Sequence, residues 1–339
     1  MQHQIISPGK LLNSKGNLRE PGWATDLILE YRKAEIKAAK WRIKEWDYYA
    51  VLNKDFGLAF TVSDNGYLGL ISVTLFDFIK GSEHSQTILT PLPMGKYRMP
   101  ETTHTGNVVF KDKRFSIEYI RHSDSRQLNC SVKNFKDGND LQASITLQQP
   151  AMDTMVIATP WKEDPLAFYY NQKINCLRAS GKARLGKQEF VFNPETDFAT
   201  FDWGRGVWTY KNTWFWGSGN GVVNGKPFGF NIGYGFGDNT AATENMLHYN
   251  GKAHKLDKVS FHIPDDSYLK PWKFSSNDGR FEMDFVPVLD RASKINALII
   301  STDQHQVFGK MSGKAILDSG EVLEIKDLLC FAEEVSNKF

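Results

Sequence analysis

The segment FDWGRGVWTYKNTWFWG, Phe201 to Gly217, sets one carboxylate, Asp202, and one guanidinium, Arg205, among Trp203, Trp208, Trp214 and Trp216. Aromatic surroundings strip water from a carboxyl group. That disfavours its charged form and keeps a proton available for general-acid chemistry, whereas a guanidinium in contact acts the other way. Indole faces beside a proton donor also stabilise a developing carbocation. The same residues fit a structural reading equally well, an ion pair of Asp202 with Arg205 at a glycine-rich turn.

A second group lies in TENMLHYNGKAHKL, Thr243 to Leu256. With Asn250-Gly251 as a two-residue turn, Tyr249 opposes Lys252, Leu247 opposes His254 and Asn245 opposes Leu256. Asn245 and His254 then share one face, and Glu244 and His248 share the other. His254 is the candidate second acid/base, with Asn245 or Arg205 orienting a substrate. Asp202 with Glu244 forms an alternative carboxylate pair for carbohydrate processing, with tryptophans as sugar platforms. No His-Glu-x-x-His, Cys-x-x-Cys, P-loop, Gly-x-Ser-x-Gly or dinucleotide glycine motif occurs in a suitable context, so neither a metal nor a cofactor is expected.

These residues need a scaffold, and the composition points to β-structure: 23 Phe, 12 Tyr and 9 Trp with 27 Gly. Short alternating segments separated by turn residues run from Arg42 to the end, with Asn224-Gly225, Asn250-Gly251, Asp278-Gly279 and Ser319-Gly320 as hairpin signals. The stretch FGFNIGYGFGDN puts Phe228, Phe230, Ile232, Tyr234 and Phe236 on one face of a strand and Gly229, Asn231, Gly233, Gly235 and Gly237 on the other. The large residues, Tyr234 included, are expected to line a barrel interior, and the bare face to meet another surface at close range. One helix is expected, Thr25 to Trp41, from apolar residues at spacings of three and four. The loop Pro91 to Gly106 reads as a lid or binding loop. A Pro-marked stretch near residues 150–166 divides the chain into expected domains at 1–160 and 161–339.

The net charge of +2 gives no electrostatic footprint for nucleic acid. No basic, then apolar, leader and no long apolar run stands out, so a cytoplasmic protein without a transmembrane segment is expected. Cys130, Cys176 and Cys330 suggest no disulfide framework.

Tyr169-Tyr170, Gly181, Asp202-Trp203 and Trp214-Phe215-Trp216 occur in an order that resembles the carotenoid hydratase (hydroxyneurosporene synthase) and AttH-like proteins. The chain is still more similar to an uncharacterised family of about its own length, through KEWDYY, DWGRGVW, ATEN and FGKMSG. The first resemblance implies an all-β fold, two tandem lipocalin-like antiparallel β-barrels, with Asp202 matching that family's aspartate. Trp203 and Gly204 stand where it tends to have His or Arg and Glu, so no other site residue carries over. The resulting expectation is an apolar ligand, isoprenoid- or fatty-acyl-like, in an aromatic-lined cavity formed with Trp208, Trp214, Trp216 and Tyr234. Hydratase-, lyase- or isomerase-type acid catalysis would accompany it. The rival is a binding or assembly module with filled barrels.

Overall fold

Buried and less buried residues alternate along segments such as Phe115–Arg121, Asn139–Gln148, Val259–His262 and Trp272–Ser276, while Ile43–Leu52 and Phe198–Val207 are buried on both faces, and the chain folds into antiparallel strands between Ile43 and Lys338. The computed structural model describes residues 2–297 and 300–338. Among these, 13 strands form one sheet and nine another, with a separate pair of two-residue strands near the N-terminus. In the first sheet the order runs Ser82–Pro91, Leu68–Asp77, Phe56–Asp64, Ile43–Leu52, Phe198–Val207, Phe168–Leu185, Asn139–Gln148, Ser125–Lys136, Phe115–Arg121, Val108–Lys111. The second runs from Lys252–Lys255 through Lys226–Tyr234, Lys211–Val223 and Val322–Lys338 to Val259–His262. Each sheet curls around its own core, and these are the two tandem lipocalin-like barrels expected from the sequence.

The change of sheet falls between Val207 and Lys211, well after residues 150–166. Phe168–Leu185 and Phe198–Val207 complete the first sheet because Phe198–Val207 pairs along its whole length with Ile43–Leu52. The Pro-marked stretch itself holds a strand of that sheet, Met155–Pro160, paired with Phe168–Leu185 and with Gly22–Ala24.

The expected helix at Thr25 to Trp41 does not form. Leu29–Glu30 pairs in parallel with Gly9–Lys10, and only two single 3-10 turns follow, Lys33–Glu35 and Lys40–Arg42. An isolated helix of this length gains little by itself. The extended path buries both Leu29 and Tyr31 in the first core, with the Tyr31 hydroxyl donating to Glu45 at 3.1 Å and Lys33 ion-paired to the same carboxylate.

The strand Lys226–Tyr234 carries the close-approach face inferred from its glycines. Phe228, Phe230 and Ile232 belong to the second core. On the other face, a Cβ at Gly229 would lie 2.8 Å from Cys176 Sγ and 3.0 Å from Asn175 Cβ of the first sheet. That contact is made by a bulge: pairing shifts between Ile174 and Leu177, Cys176 has φ +59, and Asn175 Nδ2 reaches Phe230 O at 3.0 Å. At Gly233 a Cβ would meet Phe215 O at 2.9 Å and Glu244 Oε2 at 3.5 Å. Gly233→Leu should therefore lower stability by about 1–3 kcal/mol through overpacking, read as a lower urea midpoint. An unchanged midpoint would show that the face tolerates bulk and is not packed.

Candidate functional site

Alternation along several strands delivers polar side chains to the contact between the sheets. Asn171 and Lys173 project from Phe168–Leu185, Asp202 from Phe198–Val207, and Trp46 from Ile43–Leu52. From the other side come Trp214 and Trp216 of Lys211–Val223, Gln306 of Ile300–Ile316, Glu333 of Val322–Lys338, and Glu244 from the loop before Met246–Tyr249. Lys173 and Asp202 are register partners, and Lys173 Nζ lies 3.0 Å from Asp202 Oδ1 and 3.8 Å from the centroid of the Trp216 ring. Asp202 Oδ1 also accepts from Asn171 Nδ2 at 2.6 Å, and Oδ2 accepts from Trp46 Nε1 at 2.9 Å. The indole of Trp46 crosses over Gly204, its register partner. A Cβ there would be 1.9 Å from the ring, so only glycine lets Trp46 reach Asp202.

Glu333 is the register partner of both Trp216 and Gln306. Its oxygens accept from Trp214 Nε1 and Gln306 Nε2, each at 3.0 Å. Burial pushes its carboxyl up to about 7, against the pull of the Trp214 N–H and the Lys173 ammonium; the Asp202 charge adds to the rise. Burial also raises Glu244, with Lys173 opposing and Asp202 reinforcing. Three carboxyl groups thus surround one ammonium. Asp202, Glu244 and Glu333 keep 5%, 6% and 5% exposure, so the cluster is nearly closed to solvent. Around it the rings form a continuous wall: Trp46 stacks on Tyr169 at 6.0 Å and meets Trp208 edge-on at 5.2 Å, while Phe236 contacts Tyr169, Trp208 and Trp214 at 4.7, 4.7 and 5.2 Å.

The structure thus joins Asp202 to Trp208, Trp214, Trp216 and Glu244. It separates the other candidates. Arg205 does not pair with Asp202: three residues apart on one strand, the two point to opposite faces. Arg205 lies inside the first barrel, donating to Asp47 Oδ1 at 2.9 Å and to Pro100 O and Trp46 O at 2.8 Å each. The hairpin has the expected register, Leu247 opposite His254, but His254 faces Asp318 at 3.2 Å, away from Asp202. Asn245 clamps backbone, accepting from Gly233 N at 2.8 Å and donating to Asp257 O at 2.7 Å. Tyr234 stacks on Phe215 at 4.7 Å against the second core.

Sequence reasoning missed Lys173 and Glu333. Lys173 left a signal, as the sole charged residue between Phe168 and Leu177. Glu333 left a weaker one, since its strand is buried on both faces and alternation alone does not distinguish it from Glu334.

A domain of unknown function, DUF2804, matches residues 2–339. The chain belongs to that family. Among curated proteins none matches its sequence. Solved structures share the fold at low identity. An AttH-like protein of Nitrosomonas europaea aligns with TM-score 0.54 and 14% identity over 91% of this chain and 96% of its own. CghA, solved with Sch210972, aligns with TM-score 0.56 and 11% identity over 97% of each chain. Kievitone hydratase of Nectria haematococca aligns with TM-score 0.52 and 9% identity over 98% of each. At these identities the likeness establishes a shared fold. Among the described residues of this DUF2804 chain no helix is long and apolar enough to cross a membrane.

His248, buried at the edge of the contact between the sheets, adds a pH dependence. Burial lowers its pKa to about 4, against the nearby Asp153 charge, and its Nε2 has no partner. The unfolded chain takes up this proton first. The group's contribution is therefore complete above pH ~6.5 and lost as pH falls towards 4, a change on the order of 3 kcal/mol. The difference in urea midpoint between His248→Gln and the parent should drift across that window. A constant difference would show that His248 titrates normally.

Proposed function

We propose that the chain binds an apolar small molecule, isoprenoid- or fatty-acyl-like, where the two sheets meet, and carries out cofactor-independent acid catalysis on it of the hydratase, lyase or isomerase type. The observation that carries this reading is Glu333: a carboxyl that burial holds near neutrality, beside a fixed ion pair and under a wall of indoles. Glu333 protonates an alkene carbon, the C–H bond forming as the π bond breaks. The cation left on the neighbouring carbon lies against the tryptophan faces. A water oxygen adds to that carbon, and the proton it releases returns to the carboxylate of Glu333. In an isomerisation, loss of a neighbouring C–H proton to the same carboxylate replaces the addition. Lys173, Asn171 and Trp46 hold Asp202 by both oxygens, so its role is to fix Lys173 and to raise Glu333 electrostatically. Kievitone hydratase, a hydratase by name, and CghA with its bound molecule lend fold-level support only. The three free cysteines fit a reducing, cytoplasmic setting.

The non-catalytic reading has its own support: both barrel interiors are packed with their own side chains. Native mass spectrometry of the purified full chain separates the two. The expected result is a co-purified or captured apolar molecule whose occupancy falls in Trp214→Ala. A chain that carries nothing and captures no member of a panel of terpene alcohols and unsaturated fatty acids defeats the binding reading.

A further inference from the structure

The loop Pro91 to Gly106 closes the end of the first barrel, away from the carboxyl cluster. Its carbonyls are fastened to two buried guanidiniums, Pro100 O to Arg205 Nη2 at 2.8 Å and Thr103 O to Arg126 Nη2 at 2.9 Å. Arg205 is in contact with Asp47, whereas Arg126 feels the Asp47 charge only from beyond contact distance. Among the described residues no carboxylate lies within ion-pair distance of it, and its other partners are neutral: Gln149 Oε1 at 2.8 Å, the Tyr49 hydroxyl at 3.4 Å and the Phe201 ring, whose centroid is 4.5 Å from the guanidinium. A buried guanidinium without an anion in contact is costly and calls for an explanation. Beside it Arg121 bonds only to backbone carbonyls, and its Nε has no partner. The Tyr119 hydroxyl is also unpartnered, on a side chain only 4% exposed.

Asp47, Tyr119, Arg121 and Arg126 line one void of about 10 Å³, room for a single oxygen-sized group. Pro100, Thr102 and Gly106 border both that void and an open cleft of about 510 Å³, whose other walls include Leu27, Leu29 and Tyr170. The orphaned groups at the inner end are donors and cations, Asp47 being held by Arg205, and the outer cleft sets Leu27, Ile28 and Leu29 beside the charged Glu30, Arg32 and Glu101. We infer that the mouth of the first barrel is a second binding site, for a small organic acid whose carboxylate meets Arg126, Arg121 and Tyr119 beneath the loop and whose apolar body lies in the cleft. Entry requires the Pro100 to Gly106 stretch to lift, and the ligand carboxylate then replaces Thr103 O on Arg126.

Calorimetric and thermal-shift titration of the full chain with sodium octanoate, 1-octanol and inorganic phosphate tests this. Octanoate should bind one-to-one and raise Tm, with octanol and phosphate at least about tenfold weaker, since one lacks the charge and the other the apolar body. Arg126→Gln should leave the ligand-free Tm unchanged or higher and weaken octanoate about tenfold or more. Tyr119→Phe, which removes only an unpartnered hydroxyl, should weaken octanoate without lowering Tm, and it decides the matter if Arg126→Gln fails to fold. Absence of octanoate binding, equal binding by octanol or phosphate, or a variant that loses Tm but keeps octanoate affinity overturns the site and leaves Arg126 as a fastener of the loop.

Discussion

Glu333→Gln is expected to lower turnover of any substrate found for this protein by about 100- to 10,000-fold, the usual loss when a general acid is removed, while making the protein more stable above neutral pH. The two effects have one origin. Burial raises the folded carboxyl from its ordinary 4.5 to about 7. Between those values the native state holds a proton that the unfolded chain has released, so stability falls as pH rises through that window. The penalty is absent below pH ~4.5 and complete above ~7, on the order of 3 kcal/mol in full. Glutamine keeps the shape and has no charge to bury; its one carbonyl oxygen still accepts from Trp214, while its NH2 takes the place of the oxygen that accepted from Gln306 and requires the Gln306 amide to turn over. Chemical denaturation at pH 5 and pH 8 should show the variant gaining on the parent only at the higher pH, and activity at pH 6 should show the loss. Retained turnover would remove Glu333 from the chemistry. A variant less stable at pH 8 would mean that the carboxylate is anchored as an ion.

The all-β architecture was legible because a period of two is a local property. The alternation of Phe228, Phe230 and Ile232 against glycine told which side met a core, and Asn250-Gly251 fixed the hairpin register through to His254; Phe236, expected on that same face, lies beyond the strand's end at Tyr234 and turns to the wall between the sheets. Asp202 and Arg205 read in the sequence as flanking a glycine-rich turn; the strand instead runs on to Val207, and an odd separation along a strand puts their side chains on opposite faces. What was not legible depends on the second sheet. Lys173 and Glu333 are 160 positions apart in the sequence, and only the packing of one barrel on the other gathers them around Asp202 and Glu244. The spacing of Leu27, Tyr31, Ala34 and Ala38 is truly helical. It is overridden because the barrel end offers Leu29 and Tyr31 more burial than a helix face would.

The Lys173–Asp202 pair carries the other large effect. Lys173→Met should cost about 3–5 kcal/mol at pH 8, because it leaves Asp202 buried with neither the ammonium nor water to offset its charge. The cost should shrink towards pH 5, where Glu333 is protonated and repels Asp202 less. Asp202→Asn is the milder change: Lys173 keeps its place over Trp216, and Glu333 and Glu244 are at hand to take up the charge. Since the Asp202 charge helps to raise Glu333, its removal should move the Glu333 titration to lower pH, and the alkaline limb of kcat/KM with it. The double variant Lys173→Met, Asp202→Asn should recover most of the stability lost in Lys173→Met, because no unmatched ion is left behind. Denaturation midpoints of the four proteins at pH 8 measure that coupling. A coupling below about 0.5 kcal/mol would show the two groups to be independently solvated, and a kcat/KM limb that stays in place in Asp202→Asn would separate Asp202 from the group that delivers the proton.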